Sequence, residues 1–512
     1  MDPHDEAVSL LASQVKQFYD RKSPFRIYHG STNSTRQYLY LPDNMIDTSK
    51  LSNVLHIDTQ NKVALVEPNV PMDKLVEATM PHRLVPPVVM EFPGITVGGG
   101  FAGTSGESSS FRHGFFERTV NSIEIILADG KIIKASASEN SDIFYGAASS
   151  FGTLGVTTLL EIQLIDAKSY VELTYYPVSS IQVAVEKIEQ ATADSSTDYL
   201  DGIFFAKDRG VICIGRLKDS VDDGIRIQRF TRATDPWFYL HAKKLIGKSS
   251  SPVTEAIPLV DYLFRYDRGG FWVGAYAFQY FITPFNRITR WALDSYLHTR
   301  VMYHALHKSG LAKSYIVQDV AIPYEGAAEF LEYLDEVFGH YPIWLCPLHR
   351  SGKSEPTPRG LTALRPDPNA PTMLLNFGVW GPGPTKRQAF VRINRKLEHK
   401  VHELKGQKCL YAHAYYTEDE FWAIYDKNEY DLLRQKCNAT YLPSIYDKVK
   451  VDVEAEERAT KASWVSWTSA TLWNIWPLGG IYGALHASFR REYLKGRQPK
   501  CGLLITLCQN QG

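Results

Sequence analysis

Glycine and small hydroxyl residues dominate one stretch of the chain, residues 93–161, and constrain what it can fold into. Five glycines fall within nine residues and three consecutive serines follow them, at positions 98, 99, 100, 103, 106 and 108–110. A second cluster, Gly152-Thr153-Leu154-Gly155, opens into a β-rich run. Glycine lets the backbone approach a ligand closely, and free N–H groups beside serine hydroxyls suit a diphosphate. The stretch predicts a dinucleotide site. This site is not of the Rossmann kind, because the stretch lacks a GxGxxG motif placed at the turn between a predicted strand and a predicted helix.

The length, charge and cysteine content of the chain exclude several broad classes. Its 512 residues exceed what one core organises, so two or three packed domains are expected. The 56 basic and 56 acidic residues cancel, which leaves no overall positive field for a nucleic-acid partner. Six cysteines are scattered without a CxxC pair, a pattern that favours free thiols over a metal site. Residues 1–20 lack the apolar core of a signal peptide.

Several short motifs follow one another along the glycine-rich stretch: TVGG, GTSGESSS, HGFF, SENSDIFY and SFGTLG. Together they resemble the FAD-binding domain of the vanillyl-alcohol-oxidase (PCMH-type) flavoproteins, and within that superfamily the sterol Δ24-reductases. Later blocks are similar to the same family in the same order: LVDYLFRYDRGGFW, IVQDVAIP, YPIWLCP and LYAHAYYTEDEFWAIYD. The likeness therefore extends over roughly residues 20–450, which is most of the chain.

The resemblance implies an α+β fold, in which a two-subdomain PCMH-type FAD-binding domain precedes an α+β substrate domain. We assign the FAD-binding domain to residues 1–165 and the substrate or cap domain to residues 166–405. Residues 406–450 are expected to return to the flavin, and residues 451–512 form a C-terminal tail. Apolar spacing supports the change at the first boundary, since alternating strands and a helix over residues 181–192 are predicted beyond it.

The resemblance also implies bound FAD, with NADPH as the electron donor. In this superfamily the first loop delivers backbone amides to the diphosphate, and HGSTNS at residues 29–34 occupies that position. Members that bind flavin covalently often carry a histidine late in this loop, where this chain has Asn33, so the FAD is predicted to be noncovalent. The predicted cofactor-binding residues are Gly30, Ser31, Thr32, Asn33, Ser34, Gly98, Gly99, Gly103, Thr104, Ser105, Ser108, Ser109, Ser110, Gly152, Thr153, Gly155 and Val156.

The expected reaction is reduction of an isolated carbon–carbon double bond in a sterol or terpenoid lipid. No carbonyl accepts charge in such a substrate, so the economical route protonates the less substituted carbon and then adds hydride. The candidates for the acid are Tyr415, His413 and Asp319, which lie in the blocks expected to return to the flavin. Aromatic side chains suit the cationic character that protonation creates. The candidates for that wall are Trp272, Trp344, Tyr411 and Trp422.

Three departures from the family pattern leave a second function open. Phe111 stands where the sterol reductases have histidine, His413 where the animal enzyme has aspartate, and Val273 where it has glutamate. The alternative function is that of a flavin-dependent oxidase or cyclisation catalyst in a specialised metabolite pathway.

The C-terminal tail contains an uncharged run, residues 462–489, that carries Trp464, Trp467, Trp473 and Trp476 and is followed by basic residues. Tryptophans with trailing cations are typical of attachment to a membrane surface. Pro477 and the glycine pair after it would break a helix that spans the bilayer. We predict surface attachment, with packing of the tail on the protein and a true span as the alternatives. The expected location is the cytoplasmic face of the endoplasmic reticulum, or the cytosol.

Noncovalent FAD predicts that acid precipitation of the purified protein releases its yellow chromophore. The absorption spectrum of the supernatant should account for one FAD per chain, because no covalent bond attaches the flavin to the precipitated protein. A flavoprotein with a covalent flavin, treated in parallel, provides the control for incomplete extraction. Colour that stays with the precipitated protein would contradict the prediction.

Overall fold

A computed structural model describes residues 2–30, 42–248, 250–350, 371–453, 458 and 476–490. Its strands are β1 Arg26–Tyr28, β2 Met45–Asp47, β3 Val54–Asp58, β4 Val63–Val66, β5 Leu84–Val85, β6 Val120–Leu127, β7 Ile132–Ser136, β8 Gly155–Gln163, β9 Ile165–Asp166, β10 Tyr170–Val178, β11 Tyr199–Ala206, β12 Arg209–Lys218, β13 Val253–Pro258, β14 Tyr315–Pro323, β15 Ile343–His349, β16 Met373–Pro382 and β17 Gln407–Lys408.

Helices lie between these strands throughout the described ranges. They are α1 Pro3–Asp20, α2 Met72–Thr79, α3 Val97–Gly103, α4 Ser110–His113, α5 Ser141–Ala147, α6 Ile181–Ala193, α7 Phe238–Ile246, α8 Leu259–Leu263, α9 Val273–Tyr280, α10 Arg287–Ala292, α11 Thr299–Lys308, α12 Ala327–Val337, α13 Arg387–Glu403, α14 Glu418–Ile424, α15 Lys427–Lys436, α16 Ile445–Val449 and α17 Leu478–Arg490. Helices together with antiparallel sheets confirm the α+β class.

The glycine-rich stretch contributes to an antiparallel sheet of five strands, in the order β3-β4-β8-β6-β7. A separate parallel pair, β1 and β2, precedes it in the chain. Helix α1 contributes a buried stripe to the core of this half through Val8, Leu11 and Val15, which recur at helical spacing. The His4 side chain at the start of α1 bonds Glu67 Oε1 at 2.8 Å. We call this part of the molecule, from α1 to β8, the first half.

The second half is built on an eight-stranded sheet, in the order β13-β10-β12-β11-β15-β16-β14-β17. Successive side chains on a strand face opposite sides, so each central strand serves two cores. On β11, Phe204 packs in a cluster with helices α6, α12 and α13, whereas Ile203 and Phe205 join the core shared with the first half. Because an apolar cluster covers each face of the sheet, the central strands, such as β11 and β12, consist mainly of apolar residues.

The chain returns to the first half after β17. The Tyr430 hydroxyl on α15 donates to Thr153 Oγ1 at 2.9 Å, and the Tyr441 hydroxyl donates to the Ala128 carbonyl at 2.6 Å. The Lys448 ammonium group donates to the Phe151 carbonyl at 2.6 Å. These bonds join residues about 300 positions apart in sequence. The segment that follows β17 therefore packs on the first half, near the second glycine cluster.

Within the ranges that the structure describes, no helix has both the length and the apolar character needed to cross a bilayer. Most of the predicted membrane anchor, including Trp464, Trp467 and Trp473, lies outside the described residues. Its described part is residues 476–490, where α17 packs against α11. The cysteines that the structure describes are free thiols, as expected: Cys213, Cys346, Cys409 and Cys437.

Candidate active site

A cavity of about 1140 Å³ lies between the two halves of the molecule. Its walls come from the glycine-rich stretch, from strands β14, β15 and β16 of the large sheet, from the returning segment and from α17. The volume exceeds the roughly 300–1,000 Å³ of a pocket for one drug-sized ligand. The cavity can therefore hold a large cofactor together with a substrate.

The first glycine cluster forms one wall of this cavity at helix α3. Thr96 caps the helix, since its Oγ1 accepts a hydrogen bond from the Gly99 N–H at 3.1 Å. A Cβ on Gly98 would lie 2.7 Å from Pro68 Cβ, so packing within the protein already requires glycine there. A Cβ on Gly103 would meet nothing closer than Tyr411 Cβ at 3.7 Å. Gly103 thus keeps space open on the cavity side, and all three glycines line the wall.

The second glycine cluster lines the same cavity through Gly152 and Gly155. Gly152 has φ +70°, and a Cβ on Gly155 would lie 2.3 Å from the Ile126 carbonyl oxygen on β6. Thr153 and Val156 lie off the wall of the cavity. The Thr153 hydroxyl is completely buried and donates to the Ser150 carbonyl at 2.8 Å, while it accepts from Tyr430. Thr153 therefore anchors the returning segment.

The serine run at 108–110 occupies the protein interior, away from the cavity wall. The Ser108 hydroxyl donates to Glu107 Oε1 at 2.6 Å, and the Ser109 hydroxyl donates to the Pro87 carbonyl at 2.8 Å. Ser110 Oγ accepts the Glu107 N–H at 2.8 Å. In this arrangement the three hydroxyls fix the loop around Glu107 and do not line the cavity.

The remaining predicted cofactor residues divide between the wall and its support. Ser105 lines the cavity, whereas the Thr104 hydroxyl donates to the Gly103 carbonyl at 2.7 Å. Gly30 has φ +68° and follows His29, which lines the cavity. Burial, together with the nearby Lys448 charge, lowers the pKa of His29 to about 4, so the imidazole is neutral at pH 7. Four predicted residues lie outside the described ranges: Ser31, Thr32, Asn33 and Ser34.

Asp319 on β14 lies in the cavity wall with three hydrogen-bond donors converging on it. The Asn376 amide donates at 2.9 Å and the Trp380 indole at 3.0 Å, and the Tyr411 hydroxyl donates to the same carboxyl group. The pKa of Asp319 is raised above its usual value, because the effect of burial outweighs that of the three donors, which lower it. Donors on all sides stabilise the ionised form, because a carboxylate only accepts hydrogen bonds.

The two other candidates for the acid occupy different positions. His413 lines the same cavity as Asp319. The Tyr415 side chain belongs to the core beneath the large sheet, where its ring lies 6.3 Å from that of Phe390, and it does not line the cavity. The structure thus brings Asp319 and His413 to one cavity and leaves Tyr415 outside it.

An aromatic wall completes the site around Asp319. Phe271 lies 4.3 Å from Trp380 and 5.4 Å from Trp344 between ring centroids, and all three line the cavity. Of the four aromatic residues expected from the sequence, Trp344 and Tyr411 line the cavity, whereas Trp272 supports it by donating to the Trp380 carbonyl at 3.0 Å. Trp422 lies away from it, in the cluster of the returning segment.

Sequence reasoning missed a carboxyl pair, Glu91 and Glu107, beside the same cavity. Glu91 lines the wall and is 8% exposed, and Glu107 lies behind it at 3%. Burial and the neighbouring Glu107 hold the pKa of Glu91 well above its usual value. Arg265 lies 3.6 Å from Glu107 and forms an ion pair with Asp201 at 2.8 Å. Glu91 stands just before the TVGG motif, and no local pattern in the sequence distinguishes it from an exposed glutamate.

Helix α17 forms a further part of the cavity wall. Gly480, Ile481, Ala484 and Leu485 line the cavity from this helix. Two polar contacts fix the segment: the Trp476 indole donates to the Tyr280 carbonyl at 2.7 Å, and the rings of His486 and His304 are joined by a 3.0 Å hydrogen bond.

Comparison with known proteins gives consistent results. Residues 6–136 match the family model described as an FAD binding domain. The chain is 29% identical to the Delta(24)-sterol reductase of Macaca fascicularis over 464 residues, which cover 87% of this chain and 86% of the relative. It is 28% identical to the Homo sapiens protein of that name, with the same coverage. It is 30% identical to the Delta(24)-sterol reductase of Pisum sativum over 459 residues, 81% of this chain and 78% of the relative.

The geometry of the two glycine clusters predicts different effects of the same substitution. Gly103→Val should keep the fold, because the protein leaves room for a Cβ there, but the added side chain should fill the cavity and abolish FAD binding. Gly155→Val should disrupt the sheet itself, because its Cβ would collide with the β6 backbone. Flavin content and thermal unfolding, measured for both variants, separate the two effects. Full FAD occupancy in folded Gly103→Val would exclude this wall as the cofactor site.

Proposed function

This chain belongs to the Delta(24)-sterol reductase family, and from that membership we propose that it is an FAD-dependent oxidoreductase that reduces an isolated carbon–carbon double bond of a sterol, with NADPH as electron donor. The observation that carries the proposal is one cavity that combines a glycine-lined wall with an aromatic wall holding a buried carboxyl group. A sterol is apolar over nearly its whole length, which suits the aromatic and aliphatic side chains around Asp319.

The residues of the cavity fit a bound FAD. Gly103 keeps open a space that a side chain would fill. Asn376 Oδ1, on the wall, is a buried acceptor to which no donor in the described part of the chain points, so a ligand N–H or O–H can satisfy it. The FAD is held without a covalent bond in this proposal, and the cradle consists of the wall glycines together with Ser105.

The proposed domain division follows the two sheets. Residues 1–165 form the FAD-binding domain, with the β1–β2 pair and the five-stranded sheet as its two subdomains. Residues 166–405 form the substrate domain, and residues 406–450 return to the cofactor side. This division explains why the cavity lies where residues from all three segments meet.

The chemistry requires a hydride and a proton, and the chain's own residues manage the charge that the proton brings. FAD, once bound and reduced, supplies the hydride. Protonation of an alkene places positive character on the neighbouring carbon, and the Asp319 carboxylate with the rings of Phe271, Trp344 and Trp380 provides negative charge and π-faces for it. His413 lies on the same wall and borders the substrate in this proposal.

The proposed reaction predicts that NADPH consumption depends on a sterol with a Δ24 double bond. Purified protein with FAD, assayed without oxygen, should oxidise one NADPH for each double bond reduced, and the same sterol with a saturated side chain should give no turnover. Product analysis by mass spectrometry confirms the gain of two hydrogens. Flavin that is reduced by a metabolite and reoxidised by oxygen, with no sterol-dependent NADPH oxidation, would instead establish an oxidase.

We further propose that the protein works at a membrane surface, through an apolar rim around the mouth of the cavity. Large apolar side chains are exposed together here, and a soluble protein rarely groups so many without a partner. Ile282 is 75% exposed, Ile288 74% and Trp291 56%. The apolar rim consists of Phe281, Ile282, Phe285, Ile288, Trp291, Leu293 and Tyr296, with Trp476, Ile481, Tyr482 and Leu485 on the α17 side.

The position and charge of the rim favour lipid as its partner. Phe281, Leu293, Tyr296, Ile481 and Leu485 belong to both the rim and the cavity wall, so a substrate that leaves a bilayer here enters the cavity without crossing water. Residues 281–315 contain five basic residues and one acidic residue, although the whole chain is balanced. Cations next to exposed aromatic rings suit the anionic headgroup boundary of a cytoplasmic leaflet, such as that of the endoplasmic reticulum.

Replacing three rim residues should release the protein from lipid without affecting its fold. The variant Ile282→Ser/Ile288→Ser/Trp291→Ser should bind anionic vesicles at least about tenfold more weakly, because each side chain loses apolar area that the bilayer would bury. FAD content should not change. The matched control is Leu10→Ser/Leu55→Ser/Leu432→Ser, which removes exposed apolar side chains elsewhere on the molecule. Equal vesicle affinity in both variants would refute the rim as the membrane contact.

A further inference from the structure

Two carboxyl groups on the wall of the cavity, Asp319 and Glu91, differ in their hydrogen-bond partners. Asp319 receives hydrogen bonds from an amide, an indole and a phenol, so its ionised form is stabilised. Glu91 lies on the same cavity wall, and its carboxyl neighbour is another acid, Glu107. Tyr303 lines the same cavity, and burial, Asp319 and Glu91 each raise the pKa of its hydroxyl. Burial raises the pKa of both carboxyl groups, but Asp319 has donors that oppose this rise, and such unequal environments give two carboxyls of an enzyme site different roles.

The contacts of Glu107 show why Glu91 holds a proton. One oxygen of Glu107, Oε1, accepts the Ser108 hydroxyl at 2.6 Å and lies 3.6 Å from Arg265. The other, Oε2, is buried and receives no hydrogen bond from any donor that the structure describes. Burial and the neighbouring Glu107 carboxyl group both disfavour the ionised form of Glu91. The ion-pair contact with Arg265 is made by Glu107, so Glu91 is the member of the pair that we expect to carry a proton.

We propose that Glu91 is the proton donor for the substrate alkene and that Glu107 is the residue that keeps it protonated. This inference rests on the proposed function. The Glu91 carboxyl group gives its proton to the less substituted alkene carbon, and the π electrons form the new C–H bond. The neighbouring carbon becomes cationic, facing the Asp319 carboxylate, and accepts the hydride that originates from NADPH. Glu91 is left as a carboxylate and regains a proton from solvent, so the net change is the addition of two hydrogens.

Asp319 and Glu91 take two different roles in the proposed reaction. Asp319 is the group that stabilises positive charge, because its oxygens accept three hydrogen bonds that favour the ionised form against the opposing effect of burial. Glu91 is the acid, because burial next to another carboxyl group disfavours its ionised form. The charged or titratable groups around Glu91 are Glu107, Arg265, Tyr303 and the Cys346 thiol.

Glu91→Gln tests the donor, since it keeps the shape and removes the acidic proton. Sterol-dependent turnover should fall about 100-fold or more, while reduction of the bound flavin by NADPH proceeds at the wild-type rate. The infrared difference spectrum between wild type and variant, taken without substrate at neutral pH, should show one protonated carboxyl C=O band that only the wild type has. Glu139→Gln makes the same change on an exposed side chain and should alter neither measurement.

Glu107→Gln tests the positioning role by a pH profile. Without the negative neighbour Glu91 should lose its proton more easily, so the decline of turnover with rising pH should move to lower pH. If Glu91→Gln does not fold, the same infrared band can be titrated in the wild type, and Glu91→Asp should retain both the band and part of the turnover. Wild-type turnover in Glu91→Gln, or a Glu91 band that is absent at neutral pH, overturns the assignment. A wild-type protein that reduces no sterol overturns the proposed function instead.

Discussion

The buried Arg265 side chain is the interaction on which the arrangement of the two halves depends. It is 0% exposed and binds Asp201 on β11 of the second half at 2.8 Å and Glu107 of the first half at 3.6 Å. The rings of Tyr262 and Tyr266 lie 4.0 and 4.6 Å from its guanidinium carbon and provide cation–π contacts. Removing one partner of such a pair costs about 3–5 kcal/mol, because the other charge stays buried without compensation. Arg265 therefore joins the glycine-rich half to the large sheet through charged groups that neither half can leave unpaired without cost.

The same ionic group also sets the orientation of the aromatic wall. Asp201 accepts from the Trp344 indole at 3.1 Å as well as from Arg265, so the ring that faces the cavity is fixed by the carboxylate that joins the halves. Trp380 is held in turn by Asp319, and the centroids of the two indoles lie 5.9 Å apart. The carboxylate that joins the halves therefore also fixes one ring of the cavity wall, and a ring contact connects it to the second ring, which Asp319 fixes.

Local features of the sequence predicted the family, the cofactor and the α+β class, and each of these predictions is confirmed. A glycine required by a positive φ, such as Gly152, or by a close backbone approach, such as Gly155, leaves a mark in the sequence itself. The roles of the serine hydroxyls and of the acidic side chains cannot be recognised from the sequence in this way. The Ser109 hydroxyl could serve a ligand or a distant carbonyl, and only the fold brings the Pro87 carbonyl to it. Burial and Glu107, which lies sixteen residues away in the chain, raise the pKa of Glu91, so no local pattern of residue types predicts this shift.

Water exclusion connects the apolar rim with the proposed proton transfer. A tertiary cation next to water would be captured as an alcohol, so protonation of an isolated alkene is useful only in a dry cavity. Helix α17 covers the cavity with Ile481 and Leu485, and Phe281 closes it from the rim. A bilayer against that rim would exclude water from the remaining opening at the moment when the substrate enters. Attachment to lipid would then do more than deliver the sterol, because it would complete the apolar enclosure in which the proposed proton transfer from Glu91 takes place.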